Sequence, residues 1–292
     1  MASKFSFDGI GTKWVIDIHE DLSDEKEYEL LTLIKDRINI FDMTYSRFRE
    51  DSWISRLSKG AGKYDLPLDA EPIFSMYRDL YDVTGGLVTP LIGKVLVDAG
   101  YDKKYSLKQS IPLEVPPSWD DVIIYEPPFI TMKRPAILDF GALGKGYLID
   151  IVGEILQKNS IKNFTIDAGG DILYKNNLGR PIRVGLEHPE DLSKVIGVVQ
   201  IKDQSIAGSS GNRRKWGKFT HIIDPKTLVS PKNILGLWVI ADKAILADGI
   251  ATGLFFTPAK ALMKKYRFEY IILYSDHSVE RSDLLGNVLE LY

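Results

Sequence analysis

One carboxylate, Asp248, lies within the apolar stretch AILADGIATGLFF at 244–256. A helix is predicted at 243–257, and Thr252 follows Asp248 by four residues, so both side chains lie on one helix face. An ionised carboxylate in apolar surroundings is costly unless a cation or a donor meets it. Two oxygen groups suit a hard ion such as Mg²⁺. The stretch therefore predicts a metal site, the alternative being that Asp248 caps the start of a helix.

A glycine-rich loop, DFGALGKGYLID at 139–150, is the second candidate. Gly141, Gly144 and Gly146 permit close backbone approach, and Lys145 could neutralise a phosphate at the start of the helix predicted at 143–158. The spacing matches neither the P-loop nor the dinucleotide fingerprint. An anion site and a tight structural turn both remain open.

Two further segments carry polar groups at turns. NFTIDAGGDILYKN at 163–176 places Asp167 and Asp171 around a Gly-Gly pair, which for an isolated pair indicates a strand-to-strand bend. In the segment 205–227, His221 and Asp224 stand three apart on a predicted strand and its exit, so they would face opposite sides of a regular strand. The same segment offers hydroxyls and backbone donors at Ser209, Ser210 and Gly211.

The elements that must position these groups are mixed. Strands are predicted at 13–19, 121–126, 129–132, 164–167, 182–186, 196–201, 219–224, 236–241 and 270–275. Helices are predicted from Ser23 to about Phe41, from about Asp69 to Gly85, and at 143–158, 243–257 and 258–266. The irregular interleaving predicts an α+β fold. We expect one domain over residues 1–292, with a possible seam at 112–120.

The composition argues against several kinds of site, partner and location. The 292 residues carry a net charge of −3 and contain no cysteine, so disulfides and thiolate metal sites are excluded. The basic run at 213–215 is too short to indicate nucleic-acid binding. No apolar run reaches the ~18 residues of a membrane span, and no signal peptide is evident. Four scattered histidines do not form a zinc pattern. We therefore expect a cytoplasmic protein.

Six segments, in this order along the chain, resemble motifs of the ApbE family, the FAD:protein FMN transferases. They are GIGT (9–12), YSRFREDSWISRLS (45–58), DFGALGKGYLID (139–150), DAGGDI (167–172), AGSSGNRRKWGKFTHIIDPKT (207–227) and ADGIATG (247–253). A seventh, GGLVTP at 85–90, resembles the family's GGAFDP. The resemblance spans residues 9 to 257 and implies the family's T-fold-related architecture, an antiparallel-rich sheet with packed helices.

The resemblance also implies a set of site residues. The metal, Mg²⁺, would be held by Asp248, Thr252 and the backbone carbonyl of Ala142. The catalytic residues would be His221, Asp248 and Lys145. The residues along bound FAD would be Ile10, Phe48, Leu87, Val88, Thr89, Asp139, Lys145, Ser209, Ser210, Gly211, His221 and Ile223.

The reaction implied by the resemblance is Mg²⁺-dependent transfer of FMN from FAD to a serine or threonine hydroxyl of an acceptor protein, with release of AMP. Two alternatives stay open: an FAD pyrophosphatase that gives FMN and AMP, and an FAD-binding protein without catalysis. The chain departs from the family pattern at several positions. Ile10 replaces Met, Thr89 replaces Asp, Ser209 replaces Thr, and Leu228 replaces Gly.

Overall fold

The computed structural model describes residues 2–211 and 214–292, so Asn212 and Arg213 of the segment singled out above lie outside the described residues. The helices are α1 (Asp24–Tyr45), α2 (Trp53–Leu57), α3 (Glu71–Val83), α4 (Gly93–Ala99), α5 (Trp119–Val122), α6 (Gly144–Lys158), α7 (Ala244–Gly253) and α8 (Ala259–Leu262). In the described part of the chain, no helix combines the length and the apolar character needed to cross a bilayer.

The strands form one large sheet and three small ones. They are β1 (Ala2–Gly9), β2 (Thr12–Asp21), β3 (Gly62–Asp65), β4 (Ile123–Glu126), β5 (Phe129–Met132), β6 (Phe164–Ala168), β7 (Asp171–Lys175), β8 (Ile182–His188), β9 (Asp191–Ile201), β10 (Ser205–Ser210), β11 (Lys215–Trp216), β12 (Phe219–Thr220), β13 (Ile234–Ala241), β14 (Glu269–Tyr274), β15 (Val279–Arg281) and β16 (Leu289–Leu291). The large sheet has the order β1-β2-β6-β7-β10-β13-β14-β15, and its neighbours pair antiparallel. The predicted α+β, antiparallel-rich fold is confirmed.

The large sheet is covered on both faces, as strand β13 illustrates. Leu237 and Val239 belong to the main core, where α1, α6 and α7 also bury their apolar side chains. Trp238 and Ile240, which point the other way because side chains alternate along a strand, pack in a second cluster with residues of β8, β9 and β16. Burial on both faces explains why GLWVIA is apolar throughout.

Helix α1 forms for reasons that are local in the sequence. Ser23 is its N-cap and accepts a hydrogen bond from the backbone N–H of Lys26 at 3.3 Å. The side chains that recur at three- and four-residue steps, from Leu30 to Phe41, are buried as predicted. The helix continues one turn further than predicted, to Tyr45, whose ring is also buried.

The predicted strand at 219–224 is wrong after Thr220. The Thr220 hydroxyl donates to the Ile222 carbonyl at 3.0 Å and accepts from its N–H at 3.1 Å, so the chain turns locally. Asp224 then accepts from the N–H of Lys226 at 2.7 Å. His221 and Asp224 are consequently not on opposite faces of one strand.

Several other boundaries differ from prediction; strand β9, for example, begins at Asp191 rather than at residue 196. The strand predicted at 121–126 begins only at Ile123, because Ser118 caps the short helix α5. Helix α7 ends at Gly253. Beyond it the backbone hydrogen bonds span three residues instead of four, as in the bond from the Phe256 N–H to the Gly253 carbonyl at 3.0 Å. Helix α8 covers Ala259–Leu262 rather than 258–266.

Candidate active site

Two glycines allow helices α6 and α7 to approach closely. A Cβ on Gly146 would lie 2.2 Å from the carbonyl oxygen of Ala244, and one on Gly249 would lie 2.3 Å from Cδ2 of Leu143. At Gly146 the neighbour is backbone, so the contact requires glycine there, whereas at Gly249 a Cβ would instead force the buried leucine side chain to move. The approach lets the N–H of Gly146 donate to Oδ2 of Asp248 at 2.8 Å. Gly146 in the glycine-rich loop thus has a packing role at the first turn of α6.

The start of α7 is fixed by Asp150 of α6. Its carboxylate oxygens accept the backbone N–H groups of Ala244 and Ile245 at 2.8 and 2.9 Å. Burial raises the pKa of Asp150 to about 6. Asp150 supplies the cap of α7, so Asp248, in the second turn of α7, does not cap its own helix. It does cap the start of α6, since it accepts the N–H of Gly146 in the first turn of that helix, and the capping alternative is confirmed in this form.

A lysine and a second carboxylate lie beside this helix contact. Lys145 Nζ lies 2.5 Å from Oδ2 of the buried Asp171, and Oδ1 of Asp171 accepts from the N–H of Gly208 at 3.1 Å. Burial and the neighbouring Asp171 carboxylate raise the pKa of Asp248 well above its usual range, and Lys145 acts in the opposite direction. With both carboxyl groups ionised, the two acids would outweigh Lys145, and a further cation would favour that ionised state.

The donor types around Asp248 fit Mg²⁺ better than zinc. Thr252 follows one turn later in α7, and Ala142 directly precedes Leu143, which contacts Gly249 across the helix pair. Across residues 2–211 and 214–292, no group of three or more His, Asp or Glu side chains could hold a metal by itself. Mg²⁺ commonly uses one or two carboxylates and completes its shell with water and substrate phosphates. The predicted set of Ala142, Asp248 and Thr252 is of that kind.

Asp139 holds the loop that leads to Ala142. Its carboxylate forms a buried ion pair with Nε of Arg47 and accepts from the N–H of Gly141 at 2.8 Å. Its carbonyl accepts from the buried hydroxyl of Tyr77 at 3.1 Å. Burial and the Asp139 carboxylate raise the pKa of that hydroxyl, so Tyr77 stays a donor. The carboxylate of Asp139 is thus occupied within the protein, and its predicted contact with FAD stays a prediction.

The positive charge of Lys145 acts on the ring of His221. Burial, Arg214 and Lys145 lower the pKa of His221 to about 4, so its ring is neutral at neutral pH. Its Nδ1 is buried and has no hydrogen-bond partner in the described ranges. A neutral imidazole can accept a proton. The predicted role of His221 as the proton acceptor stays a prediction.

Phe48 and Ile223 contribute to one apolar cluster, together with Trp216. The ring of Tyr105 stacks on Phe48 with centroids 5.4 Å apart and planes 9° apart. The guanidinium carbon of Arg47 lies 4.2 Å from the Phe48 centroid. A flavin on the Tyr105 side of Phe48 would have to displace Tyr105.

The segment predicted to touch the cofactor at 87–89 is mostly buried. Val88 packs in the main core, and Thr89 caps the following turn by accepting the N–H of Leu91 at 3.2 Å. A Cβ on Gly253, at the end of α7, would lie 3.9 Å from Val88. The segment therefore lies against the end of the helix that carries Thr252, with Leu87 half-buried.

Ile10 lies at the tip of the β1–β2 hairpin. Ile10 and Gly11 form a two-residue turn in which both residues are left-handed, with φ of 44° and 75°. Thr12 beside the tip closely contacts the turn at Gly169, where a Cβ would lie 2.1 Å from the Thr12 hydroxyl oxygen. The hairpin tip thus meets the Gly-Gly bend of the DAGGDI segment, which confirms the bend.

Ser209 and Ser210 continue β10 beyond Gly208. They line a groove of about 370 Å³ together with Gly170. Gly208 itself donates to Asp171, so the strand that carries these serines leads directly from the charged cluster. Gly211 follows at the end of β10.

Sequence reasoning named Lys145, Asp248 and His221 but assigned no role to three residues on which the site depends. Asp171 and Asp150 stood inside quoted motifs, and Arg47 directly precedes Phe48. Asp171 follows a glycine turn and Arg47 precedes an aromatic residue, whereas Asp150 lies between two isoleucines and carries no such local signal. Their ion pairs and caps join residues distant in the chain, as in Asp150 with Ala244.

Several bacterial proteins are similar to this chain in sequence. The chain is 27% identical over 251 residues to "FAD:protein FMN transferase" of Haemophilus influenzae, which covers 79% of this chain and 72% of that protein. It is 24% identical over 274 residues to the protein of the same name from Salmonella typhimurium, covering 84% and 75%. A match to the one from Rhodobacter capsulatus is 30% identical over 132 residues and spans only 25% of that protein.

Solved structures share the fold. The flavin transferase ApbE from Vibrio cholerae superposes with a TM-score of 0.78 at 20% identity, covering 99% of both chains. The ApbE protein from Thermotoga maritima gives 0.81 at 19% identity, covering 97% of this chain and 98% of that one. The sequence profile of the ApbE family matches residues 10–272, most of the chain. This protein belongs to the ApbE family.

Proposed function

We propose that this protein transfers FMN from FAD to a serine or threonine hydroxyl of an acceptor protein, with Mg²⁺ as cofactor and AMP as the second product. The observation that carries the proposal is the buried pair of carboxyl groups, Asp248 and Asp171, with Lys145 paired to Asp171. With both carboxyl groups ionised, this group of oxygen donors would suit a divalent ion that binds pyrophosphate. The names of the relatives support the donor and the transferred group.

The reaction exchanges one phosphorus–oxygen bond for another. The acceptor hydroxyl oxygen bonds to the phosphorus on the FMN side of the pyrophosphate, and the bond from that phosphorus to the bridging oxygen breaks. AMP leaves with the bridging oxygen, and the hydroxyl loses its proton. When bound, Mg²⁺ supplies charge neutralisation on the phosphate oxygens.

Lys145 and His221 would perform the remaining roles. The ammonium of Lys145, held by Asp171, would face the developing charge on the leaving phosphate. His221, neutral because its pKa is lowered, would accept the hydroxyl proton. Phosphate groups close to the ring would counter the neighbouring cations and raise the proton affinity of the imidazole when it is needed.

Phe48 would carry the flavin ring in this proposal. Stacking between aromatic rings adds on the order of 1 kcal/mol beyond area burial. Ile10, Ile223 and Ser209–Gly211 would line the rest of the nucleotide, and Asp139 would act through the loop that it holds. The absence of cysteine fits a cytoplasmic location, which we include in the proposal.

The test incubates the protein with FAD and MgCl₂, with and without an acceptor protein. Covalent flavin fluorescence on the acceptor in a denaturing gel, with AMP formed in equal amount, supports transfer. FMN and AMP formed without acceptor would indicate a pyrophosphatase instead. Tight FAD binding with no AMP under any condition would indicate a binding protein and refute both enzymatic functions.

Two variants separate the metal site from general damage. Asp248→Ala should abolish Mg²⁺-dependent AMP release. Thr252→Val, which replaces the hydroxyl by a methyl group of similar size, should raise the Mg²⁺ concentration needed for the half-maximal rate. Asp36→Asn changes an exposed carboxylate on α1 and serves as the matched control. Unchanged turnover in Asp248→Ala would refute the metal site.

A further inference from the structure

The basic run at 213–215 contains Arg214, which lies beside His221. Strands β11 and β12 form a hairpin in which Lys215 pairs with Thr220. At the open end of this hairpin, the N–H of His221 donates to the Arg214 carbonyl at 3.2 Å. Residues that lie opposite each other in an antiparallel pair are close neighbours. The pairing thus explains why the positive charge of Arg214 acts on the His221 ring.

The hairpin that carries Arg214 is anchored by a buried side chain. Nε1 of Trp216 donates to the Ala99 carbonyl at 2.7 Å, and the Trp216 ring stacks on Tyr101 with centroids 5.7 Å apart. Trp216 belongs to the same apolar cluster as Phe48. The backbone of Arg214 therefore has a position fixed by packing next to the proposed flavin site.

The guanidinium of Arg214 lies on the flavin side of His221. Nη1 donates to the Tyr101 hydroxyl at 2.8 Å, and the Tyr101 ring meets Phe48 edge to face with centroids 5.4 Å apart. Burial raises the pKa of Tyr101 to about 12, so its hydroxyl is neutral and does not compensate the guanidinium charge. This contact uses one of the five N–H donors. Arg214 is exposed, so a ligand can approach it from solvent.

The phosphate that is transferred would lie close to this guanidinium. In the proposed complex, the phosphate on the FMN side lies between the flavin at Phe48 and the leaving phosphate at Lys145. Arg214 adjoins Tyr101 beside Phe48, and its charge acts together with that of Lys145 on His221. The roles given above assign Lys145 to the leaving phosphate and assign no cationic side chain to the transferred one.

We propose that Arg214 binds the phosphate that is transferred, with its guanidinium on the non-bridging oxygens. Because the positions of the flavin and the leaving phosphate come from the proposed function, this role rests on it. A guanidinium presents its N–H groups in a planar fork that matches phosphate oxygens. A fixed cation on these oxygens stabilises the charge that they carry in the transition state. Arg214 keeps its proton throughout, so the hydroxyl proton still passes to His221.

The test compares the binding of FMN and riboflavin, which differ only by the phosphate, in fluorescence titrations of the full chain with MgCl₂ present. Arg214→Gln should weaken FMN binding about tenfold, because it removes a hydrogen bond between charged groups. Riboflavin binding should stay unchanged. Lys215→Gln removes the next cation of the same hairpin, which is exposed, and should bind both flavins like the wild type.

Equal weakening of FMN and riboflavin in Arg214→Gln would overturn the proposal, because Arg214 would then only support the aromatic residues around Phe48. Unchanged FMN binding, or the same loss in Lys215→Gln, would overturn it as well. Arg214→Gln should also lower kcat for AMP release about a hundredfold, and an unchanged kcat would overturn the role in the transition state.

The binding measurements separate this role from the proposed function. If Arg214→Gln loses FMN affinity selectively in a protein that releases no AMP, the phosphate contact is supported and the transferase function fails. If the wild type releases AMP and Arg214→Gln binds FMN normally, the function stands and the role of Arg214 is wrong. Absence of FMN and riboflavin binding by the wild type would overturn both.

Discussion

Replacing Asp248 by asparagine should make the metal-free protein more stable while removing its response to Mg²⁺. The carboxylate accepts one hydrogen bond in the described structure, from the N–H of Gly146 at 2.8 Å, and its neighbour Asp171 carries the same charge. Asparagine keeps an acceptor for Gly146 and removes the charge. Poorly compensated burial of a polar group costs about 1–3 kcal/mol. At about 2 °C per kcal/mol for a chain of this size, we expect Tm to rise by roughly 2–6 °C.

The sign of the pH dependence follows from the raised pKa of Asp248. The folded protein holds this proton more tightly than the unfolded chain, so the wild type loses stability as pH rises above the ordinary aspartate range. Asp248→Asn has no such proton and no such loss. The difference in Tm between variant and wild type should therefore be small near pH 4 and grow toward neutral pH.

The assay is thermal unfolding in EDTA and in MgCl₂ across that pH range. Mg²⁺ should raise the Tm of the wild type, because a ligand of the folded state stabilises it, and should leave Asp248→Asn unchanged. Asp36→Asn, at an exposed position of α1, should behave like the wild type throughout. A lower Tm for Asp248→Asn in EDTA at neutral pH would refute the reasoning on burial, and an equal Mg²⁺ response would refute the metal site.

Three further predictions concern other parts of the site. Gly146→Ala should destabilise the protein by about 1–3 kcal/mol in urea unfolding, because its Cβ would clash with the Ala244 carbonyl; Gly60→Ala, which has open space, is the control, and equal effects would contradict the packing argument. Ile10→Asn should raise Tm, because asparagine adopts the left-handed φ of this position with about 1 kcal/mol less strain than isoleucine. A lower Tm would show that the packing of the Ile10 side chain outweighs this strain. In the pH profile of kcat/KM, the inflection that belongs to His221 should lie at about pH 4 rather than near 6.5. An inflection near 6.5 that is lost in His221→Asn would contradict the lowered pKa.

Local sequence patterns were sufficient to predict several helices and strands. Ser23 followed by acids and then by apolar residues at helical spacing located α1, because capping and amphipathic periodicity act within a few residues. The run GLWVIA identified β13 because it is buried on both faces. The strand predicted through His221 failed because the hydroxyl of Thr220 bonds to the Ile222 backbone and turns the chain. Such side-chain bonds compete with a strand without changing its apolar pattern.

By itself the sequence determined the fold class, the family motifs and which residue types were available for a metal and a phosphate. The tertiary structure alone showed that Gly146 serves the approach of α6 to α7, that Asp150 caps α7, and that Asp171 holds Lys145 beside Asp248. Charge pairing and burial depend on distances between residues far apart in the chain, and these distances exist only after the helices have packed on the sheet.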